Sequence, residues 1–297
     1  MTPPANERVL LIVNPAARSA ERDRAEAERA LMAAKARFLV LATEAPGHAQ
    51  ELAEEHGDGF DAVLALGGDG TAAEVISALH GDGPPVGVLP GGTGNLLARA
   101  LKIPLRIKDA VPALLSGVER RFDLGRFADG RHFVIGLGVG VDEAMIANAS
   151  RKLKHRLGFL AYFWSGTIAS LRMEKVRYRL TVDGTVREGQ AISVMVANLG
   201  EILGGLIKLG DQVRPDDGRL DAIAFAPDTV LDAVRIFGRM LRGTLSDDRC
   251  MVYLSGTSVR LETMPARRAQ ADGELLGNSP FEITVVPAAA RLLAPRS

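Results

Sequence analysis

Ala62-Val63-Leu64-Ala65-Leu66-Gly67-Gly68-Asp69-Gly70-Thr71 reads as a buried strand that runs straight into a glycine turn. Val75, Ile76 and Leu79 then recur at helical spacing, with Ala72 completing the stripe. The pattern repeats at once. Val86 to Leu89 is a strand, Pro90-Gly91-Gly92-Thr93-Gly94-Asn95 a second glycine turn, and Leu97, Ala100 and Leu101 a helix that ends before Pro104. On the N-terminal side, Val9 to Val13 is another strand run, ended by Asn14-Pro15. An alanine-rich, charged helix follows over Glu21 to Arg37, then a strand at Phe38 to Leu41 and a short helix at His48 to His56. Strands alternating with helices predict a parallel sheet covered on both faces, a doubly wound α/β domain.

Beyond residue 125 the rhythm changes. Short β-rich runs at Phe133–Ile135, Tyr178–Val182, Ala191–Ala197, Leu220–Phe225, Val252–Leu254, Ser258–Leu261 and Phe281–Val286 are separated by turn signals such as Asp183-Gly184 and Asp217-Gly218. That is the pattern of an antiparallel β-sandwich, here interrupted by helical insertions at Ala144–Arg172 and Val230–Leu241. The expected domains are 1–125 and 126–297, with the last residues packing back on the first domain.

A length of 297 residues suits two domains, and 47% hydrophobic with 24% charged residues excludes wholesale disorder. Thirty-six basic residues balance thirty-six acidic ones, which argues against a general nucleic-acid binder. The single cysteine, Cys250, excludes an internal disulfide and a thiolate-rich metal site, and predicts a cytoplasmic protein. Val9 to Val13 is too short for a secretory core, and no run of about eighteen apolar residues occurs. Any membrane contact is therefore expected to be peripheral.

Unpaired N–H groups at a helix start, together with the helix dipole, favour a phosphate. Thr71 and Thr93 add hydroxyl donors. A carboxylate among such amides, Asp69, makes sense with a metal or with a hydroxyl to deprotonate. The pair Gly-Lys never occurs, so a Walker A loop is absent, and Gly136-Leu137-Gly138-Val139-Gly140 has the wrong spacing for a dinucleotide fingerprint. His48, His56, His80, His132 and His155 show no metal-ligand spacing. A Gly-x-Ser-x-Gly nucleophile elbow is also missing.

Taken in order, Asn14-Pro15, Gly67 to Thr71 and Pro90 to Asn95 resemble the diacylglycerol kinase catalytic-domain family, which includes soluble bacterial diacylglycerol kinases, sphingosine kinases and ceramide kinases. Thr43 followed by Pro46-Gly47-His48-Ala49 fits the same pattern, as do Phe122-Asp123-Leu124-Gly125, Asp217-Gly218-Arg219-Leu220-Asp221 and Asp272-Gly273-Glu274. The Gly-Gly-Asp-Gly-Thr element alone is shared with NAD kinases and distantly with phosphofructokinases.

The resemblance implies ATP and Mg²⁺. By motif, Asn14, Pro15, Ala16, Ala17, Arg18, Thr43, Gly67, Gly68, Asp69, Gly70, Thr71, Glu74, Gly92, Thr93 and Asn95 would surround the nucleotide, with Asp123 near nucleotide and metal. Asp69 would organise the γ-phosphate, its Mg²⁺ or the acceptor hydroxyl. Asp272 and Glu274 fall where the family places a general base, and the choice between Asp69 and this pair stays open. A second Mg²⁺ would fall on Asp217 with the carbonyls of Arg214 and Arg219. The implied reaction is phosphoryl transfer to a lipid hydroxyl, in a cleft where Asp69 faces Asp272 and Glu274. The alternatives are an NAD kinase and a catalytically silent lipid or nucleotide sensor.

Three positions depart from the family pattern. Leu96 follows Asn95 where many diacylglycerol kinases have aspartate, so that Gly-Asn-Leu-Leu-Ala is similar to the sphingosine and ceramide kinase branch. Ala73 stands where asparagine is frequent, and Arg18 where glycine is common. Finally, residues 151 to 179 carry eight Lys or Arg against Glu174 alone, around an aromatic middle with Phe159, Tyr162, Phe163 and Trp164. That composition suits an anionic membrane surface, which predicts a lipid partner at the inner face of the membrane. A homodimer is compatible with the sequence.

Overall fold

Both faces of the N-terminal sheet are covered, which is why its strands read as unbroken apolar runs. The structure, a computed structural model, describes residues 8–16, 20–140, 175–202, 207–245 and 248–296. Parallel strands β1 (Arg8–Val13), β2 (Arg37–Ala42), β3 (Ala62–Gly67) and β4 (Val86–Pro90) lie in the order β2-β1-β3-β4. Helix α1 (Ala20–Ala33) packs on α5 (Ile107–Leu115), and α2 (His48–His56) packs on α3 (Asp69–Ala78). Between them in sequence, the short α4 (Leu96–Ala100) follows the second glycine turn. The helix expected over 21–37 stops at Ala33, because Lys35 turns left-handed at φ 58° and Arg37 opens β2.

Two elements escape the sequence pattern. Pro112 sits inside α5, and β5 (Val118–Phe127) carries Glu119-Arg120-Arg121 directly after its first residue. After them come β6 (His132–Phe133), β7 (Gly136–Val139), β8 (Val176–Val182), β9 (Thr185–Ala191), β10 (Ser193–Ala197), β11 (Glu201–Ile202), β12 (Ile207–Lys208) and β13 (Leu220–Phe225). Helix α6 (Val230–Arg242) precedes β14 (Met251–Gly256), β15 (Ser258–Met264), β16 (Arg268–Ala271), β17 (Glu274–Asn278) and β18 (Phe281–Ala294). A six-stranded antiparallel sheet runs β14-β13-β10-β7-β16-β17 and shares a core with β8, β15 and β18. The glycine run at 136–140 is thus largely strand β7. The insertion expected at 144–172 lies outside the described residues.

The first sheet does not end at β4. It continues β4-β18-β15-β8-β9, with β5 also paired to β18. Strand β18 therefore serves two cores. Phe281 and Ile283 pack into the sandwich, whereas Ala289, Ala290, Leu292 and Ala294 pack into the α/β core. Between these halves the register with β5 shifts across Val286/Ala290, and Ala288 is left-handed at φ 52°.

Asp123 of β5 lies opposite this irregularity and is 2% exposed. Its Oδ1 accepts from the Ala288 N–H at 2.7 Å, and its Oδ2 accepts from the Gly218 N–H at 2.6 Å. The Asp123 N–H donates to the Pro215 carbonyl at 2.6 Å. Asn198 Nδ2 donates to the carbonyls of Asp123 and Val134, at 2.8 and 2.7 Å. Asp123→Ala leaves two backbone donors without their acceptor, and the expected loss is about 2–6 kcal/mol. Urea unfolding measures it. An unchanged midpoint would mean that Asp123 contributes nothing to the fold.

Candidate active site

Glycine lets two strand ends come together. The Gly91 N–H donates to the Gly67 carbonyl at 2.8 Å, and a Cβ on Gly92 would lie 2.7 Å from the Gly68 Cα. Any side chain at Gly92 would push the two turns apart. Because α3 begins at Asp69, the N–H groups of its first turn have no intrahelical partner and point out of the helix.

The Asn14-Pro15 turn is tied to the same helix. Asn14 Nδ2 donates to Thr71 Oγ1 at 3.0 Å, the Asn14 N–H donates to the Leu66 carbonyl at 2.9 Å, and Asn14 Oδ1 accepts from the Ala16 N–H at 2.9 Å. In the second turn Asn95 is left-handed at φ 49°, and its amide holds both the N–H and the carbonyl of Gly92 at 2.9 Å. Asp69 joins the turns. Its Oδ1 accepts from the Leu97 N–H at 3.0 Å, at the start of α4.

Thr43 is buried, with its N–H on the Val13 carbonyl, while Thr93 is exposed at the tip of its turn. Glu74 points elsewhere than a bare phosphate site suggests. Its two oxygens accept from the Gly47 and Ala49 N–H groups, each at 3.1 Å, and so fix the start of α2.

Across the cleft, Asp272-Gly273 forms a two-residue hairpin turn joining β16 to β17, with Ala271 opposite Glu274. Both turn residues have positive φ, 49° and 97°, as such a turn requires. The Asp272 carboxylate also reaches to β7 and the residues before it, accepting from the N–H groups of Val134, Ile135 and Gly136 at 2.6, 2.9 and 3.1 Å. Burial raises its pKa, the three amides oppose the rise and the charge of Asp69 adds to it, leaving the pKa raised to about 6. The Asp272 carbonyl lies 3.7 Å from where a Cβ on Gly70 would be, so the hairpin abuts the start of α3.

Asp272 and Glu274 line a cleft of about 450 Å³ together with Gly70, Glu74, His80, Arg131 and His132. Gln50 and Glu54 of α2 also line it. The two histidines, Arg131 and this α2 face carried no sequence signal, because residues far apart in the chain meet there. The His80 and His132 rings lie 4.3 Å apart, centroid to centroid. Burial, with the neighbouring His80 and Arg126, lowers the His132 pKa to about 4.

A second acidic locality lies on the 214–219 loop. Asp217 Oδ1 accepts from the Arg219 N–H at 3.0 Å, and burial together with the Asp123 charge raises the Asp217 pKa. Among the described residues no three His, Cys, Asp or Glu side chains cluster as a metal site. A carboxylate with backbone carbonyls is nonetheless an all-oxygen donor set, the kind that suits Mg²⁺, which keeps water as its remaining ligands. Asp123 itself is committed to the Gly218 and Ala288 amides. Ala17, Arg18 and most of the basic stretch at 151–179 lie outside the described residues. Within that stretch, Lys175 pairs with Asp228 and Arg179 with Glu188, each at 2.5 Å.

Joined glycine turns at the ends of parallel strands, faced by carboxylates from a β-sandwich, define a two-domain protein built to handle phosphate groups. Residues 8–127 match the diacylglycerol kinase catalytic domain, and residues 135–294 match the YegS C-terminal NAD kinase beta sandwich-like domain. The diacylglycerol kinase of Bacillus subtilis is 32% identical over 75% of this chain and 74% of its own length. An uncharacterized protein of Synechocystis is 29% identical over 83% of this chain, which spans 57% of that relative. A crystal structure from Bacillus anthracis, described as that of a candidate diacylglycerol kinase, superposes with a TM-score of 0.84 at 26% identity, covering 98% of this chain and 96% of the other. The chain belongs to the diacylglycerol kinase family of lipid kinases, which carry out ATP-dependent phosphoryl transfer.

The histidine pair yields a pH test. The unfolded chain takes up a proton at His132 near pH ~6.5, whereas the folded one does so only near about 4. The His132 contribution is therefore fully present above the unfolded value and is lost as pH falls through this window. His132→Gln is expected to flatten the decline of the urea midpoint between those values. An identical decline in the variant would remove His132 as its cause.

Proposed function

We propose that this chain transfers the γ-phosphate of ATP to a primary hydroxyl of a lipid: a sphingoid base, a ceramide or a diacylglycerol. The observation that carries this reading is Asp69 bridging the two joined glycine turns while Gly70 abuts the Asp272-Gly273 hairpin. The first-turn amides of α3, with Asn14, Thr71 and Thr93, would hold the phosphates, and Glu74 would keep α2 closed over the nucleotide side. Little covalent chemistry is needed from the protein beyond alignment and charge neutralisation. Bound Mg²⁺ supplies part of that neutralisation. Asp69 would hold it at the phosphates, and Asp217 with the carbonyls of Arg214 and Arg219 would hold a second ion.

The Asp272 carboxylate is engaged by three backbone amides. Glu274, on the cleft wall, is therefore the group we assign to take the acceptor proton, with Asp272 positioning it. Leu96, in place of an aspartate, favours a sphingosine- or ceramide-type acceptor. The working location would be the cytoplasmic face of a membrane, with residues 1–125 serving the nucleotide and 126–297 the lipid.

Radiolabelled ATP offered with a lipid panel and with NAD tests the reading. Label is expected in the lipid fraction and lost in Asp69→Ala. Glu274→Gln is expected to lower kcat by about 100-fold or more with the KM for ATP nearly unchanged. Label only in NADP, or none at all, would sink the lipid-kinase assignment. A Glu274→Gln enzyme with full kcat would move the proton acceptor to Asp69 or Asp272.

A further inference from the structure

Strand β13 carries a carboxylate on a face that is otherwise apolar. Asp221, Ile223 and Phe225 alternate along that face. Ile223 packs with Ile236 and Met240 of α6, and Phe225 lies against the same cluster. Asp221 itself is 0% exposed. Its Oδ1 accepts from the Tyr253 hydroxyl of β14. Its Oδ2 is buried and has no hydrogen-bond partner among the described residues. A carboxylate taken out of water with one oxygen unserved calls for a further donor or a cation.

The surroundings point to the cation. Asp221 follows shortly after the 214–219 loop, which carries Asp217. Burial raises the Asp221 pKa, the Tyr253 bond opposes the rise, and the charge of Asp217 adds to it. The Arg219 guanidinium does not serve the free oxygen. Its Nε donates to Ser255 Oγ at 3.0 Å, and its Nη2 donates to the Ser255 carbonyl, directly across the sheet from Asp221. A water alone would donate to Oδ2 but leave both carboxylate charges uncompensated. A hydrated dication supplies donors and charge at once.

We propose that Asp221, oriented by Tyr253, is a positioning residue for the Mg²⁺ assigned to Asp217, its free oxygen accepting from the hydration shell of that ion. The inference rests on the second-ion reading and extends it to a buried residue behind the ligand set. Groups in that position orient what a metal holds, and their loss weakens the metal. The effect reaches the cleft. Pro215 and Gly218 of the same loop are tied to Asp123, which joins the two halves of the protein.

The experiment is thermal unfolding of the full chain, without ATP, titrated with MgCl₂ at constant ionic strength. Wild type is expected to melt at a higher temperature as Mg²⁺ rises, with a midpoint that reports affinity. Asp217→Asn is expected to abolish that rise. Asp221→Asn keeps the shape and the bond from Tyr253, and is expected to raise the midpoint about tenfold or more. Tyr253→Phe removes only the orienting hydroxyl and is expected to raise the midpoint too. It carries the test if Asp221→Asn does not fold. A merely structural role would change the melting temperature without Mg²⁺ and leave the midpoint where it is. Unchanged midpoints therefore overturn the proposal and make Oδ2 the seat of a buried water, while a loss in Asp217→Asn keeps the second ion. No rise in wild type, or a rise that survives Asp217→Asn, overturns the proposal and the second ion together. Phosphoryl transfer to lipid, measured separately with Asp69→Ala, is decided by neither result.

Discussion

A carboxylate removed from water must find donors, and Asp123 finds them on two distant segments at once. Its oxygens hold the Ala288 amide, in the irregular middle of β18, and the Gly218 amide ahead of β13. Strand β18 can change partners from the sandwich to the α/β core only where its register with β5 breaks. A break of that kind frees backbone groups inside the protein, where an unpaired donor is costly. The Asp123 side chain supplies the missing acceptor. The relative placement of the two domains, and with it the cleft, depends on this contact.

The same economy recurs at the glycine turns and the hairpin facing them. Asp272 is a turn former by its backbone and an anchor by its side chain, since one hairpin residue reaches three amides in front of β7. Asp69 is the first residue of one helix and holds one amide, that of Leu97, in the first turn of the next. Asn95 closes its own turn through both groups of its amide. These side chains fix backbone before they meet any substrate, so the site is shaped in advance of binding. Preorganised charge of this sort contributes most to phosphoryl transfer, where the protein makes few covalent contributions.

The parallel strands were legible because burial on both faces makes them apolar throughout, and the glycine turns because nothing bulkier than hydrogen fits where Gly92 meets Gly68. Asp183-Gly184 was legible as a turn because both residues take positive φ, which Asp and Gly tolerate best. Strand β5 was not, since half of it is charged and exposed while Asp123 and its neighbours are buried. The full length of β18 was also hidden: Pro287 and the alanines after Val286 read as the end of a strand. The meeting of His80 with His132 had no local signature, being created only when α3 and β6 are brought together. For Asp123, Asp217 and Asp272, turn-forming and functional readings compete on sequence alone. The structure shows Asp272 to be a turn residue and a part-buried carboxylate on three backbone amides together.

Strand β18 follows every other described element, yet it lies in the middle of the larger sheet. During synthesis, β4 and β5 are made long before the strand that pairs with both. Until β18 emerges, the nascent α/β half presents open strand edges, the surface on which chains pair with the wrong partner. The two halves therefore cannot mature one after the other on the ribosome. Completion of the first waits for the last stretch of the second, which makes the folding of this two-domain chain a single late event.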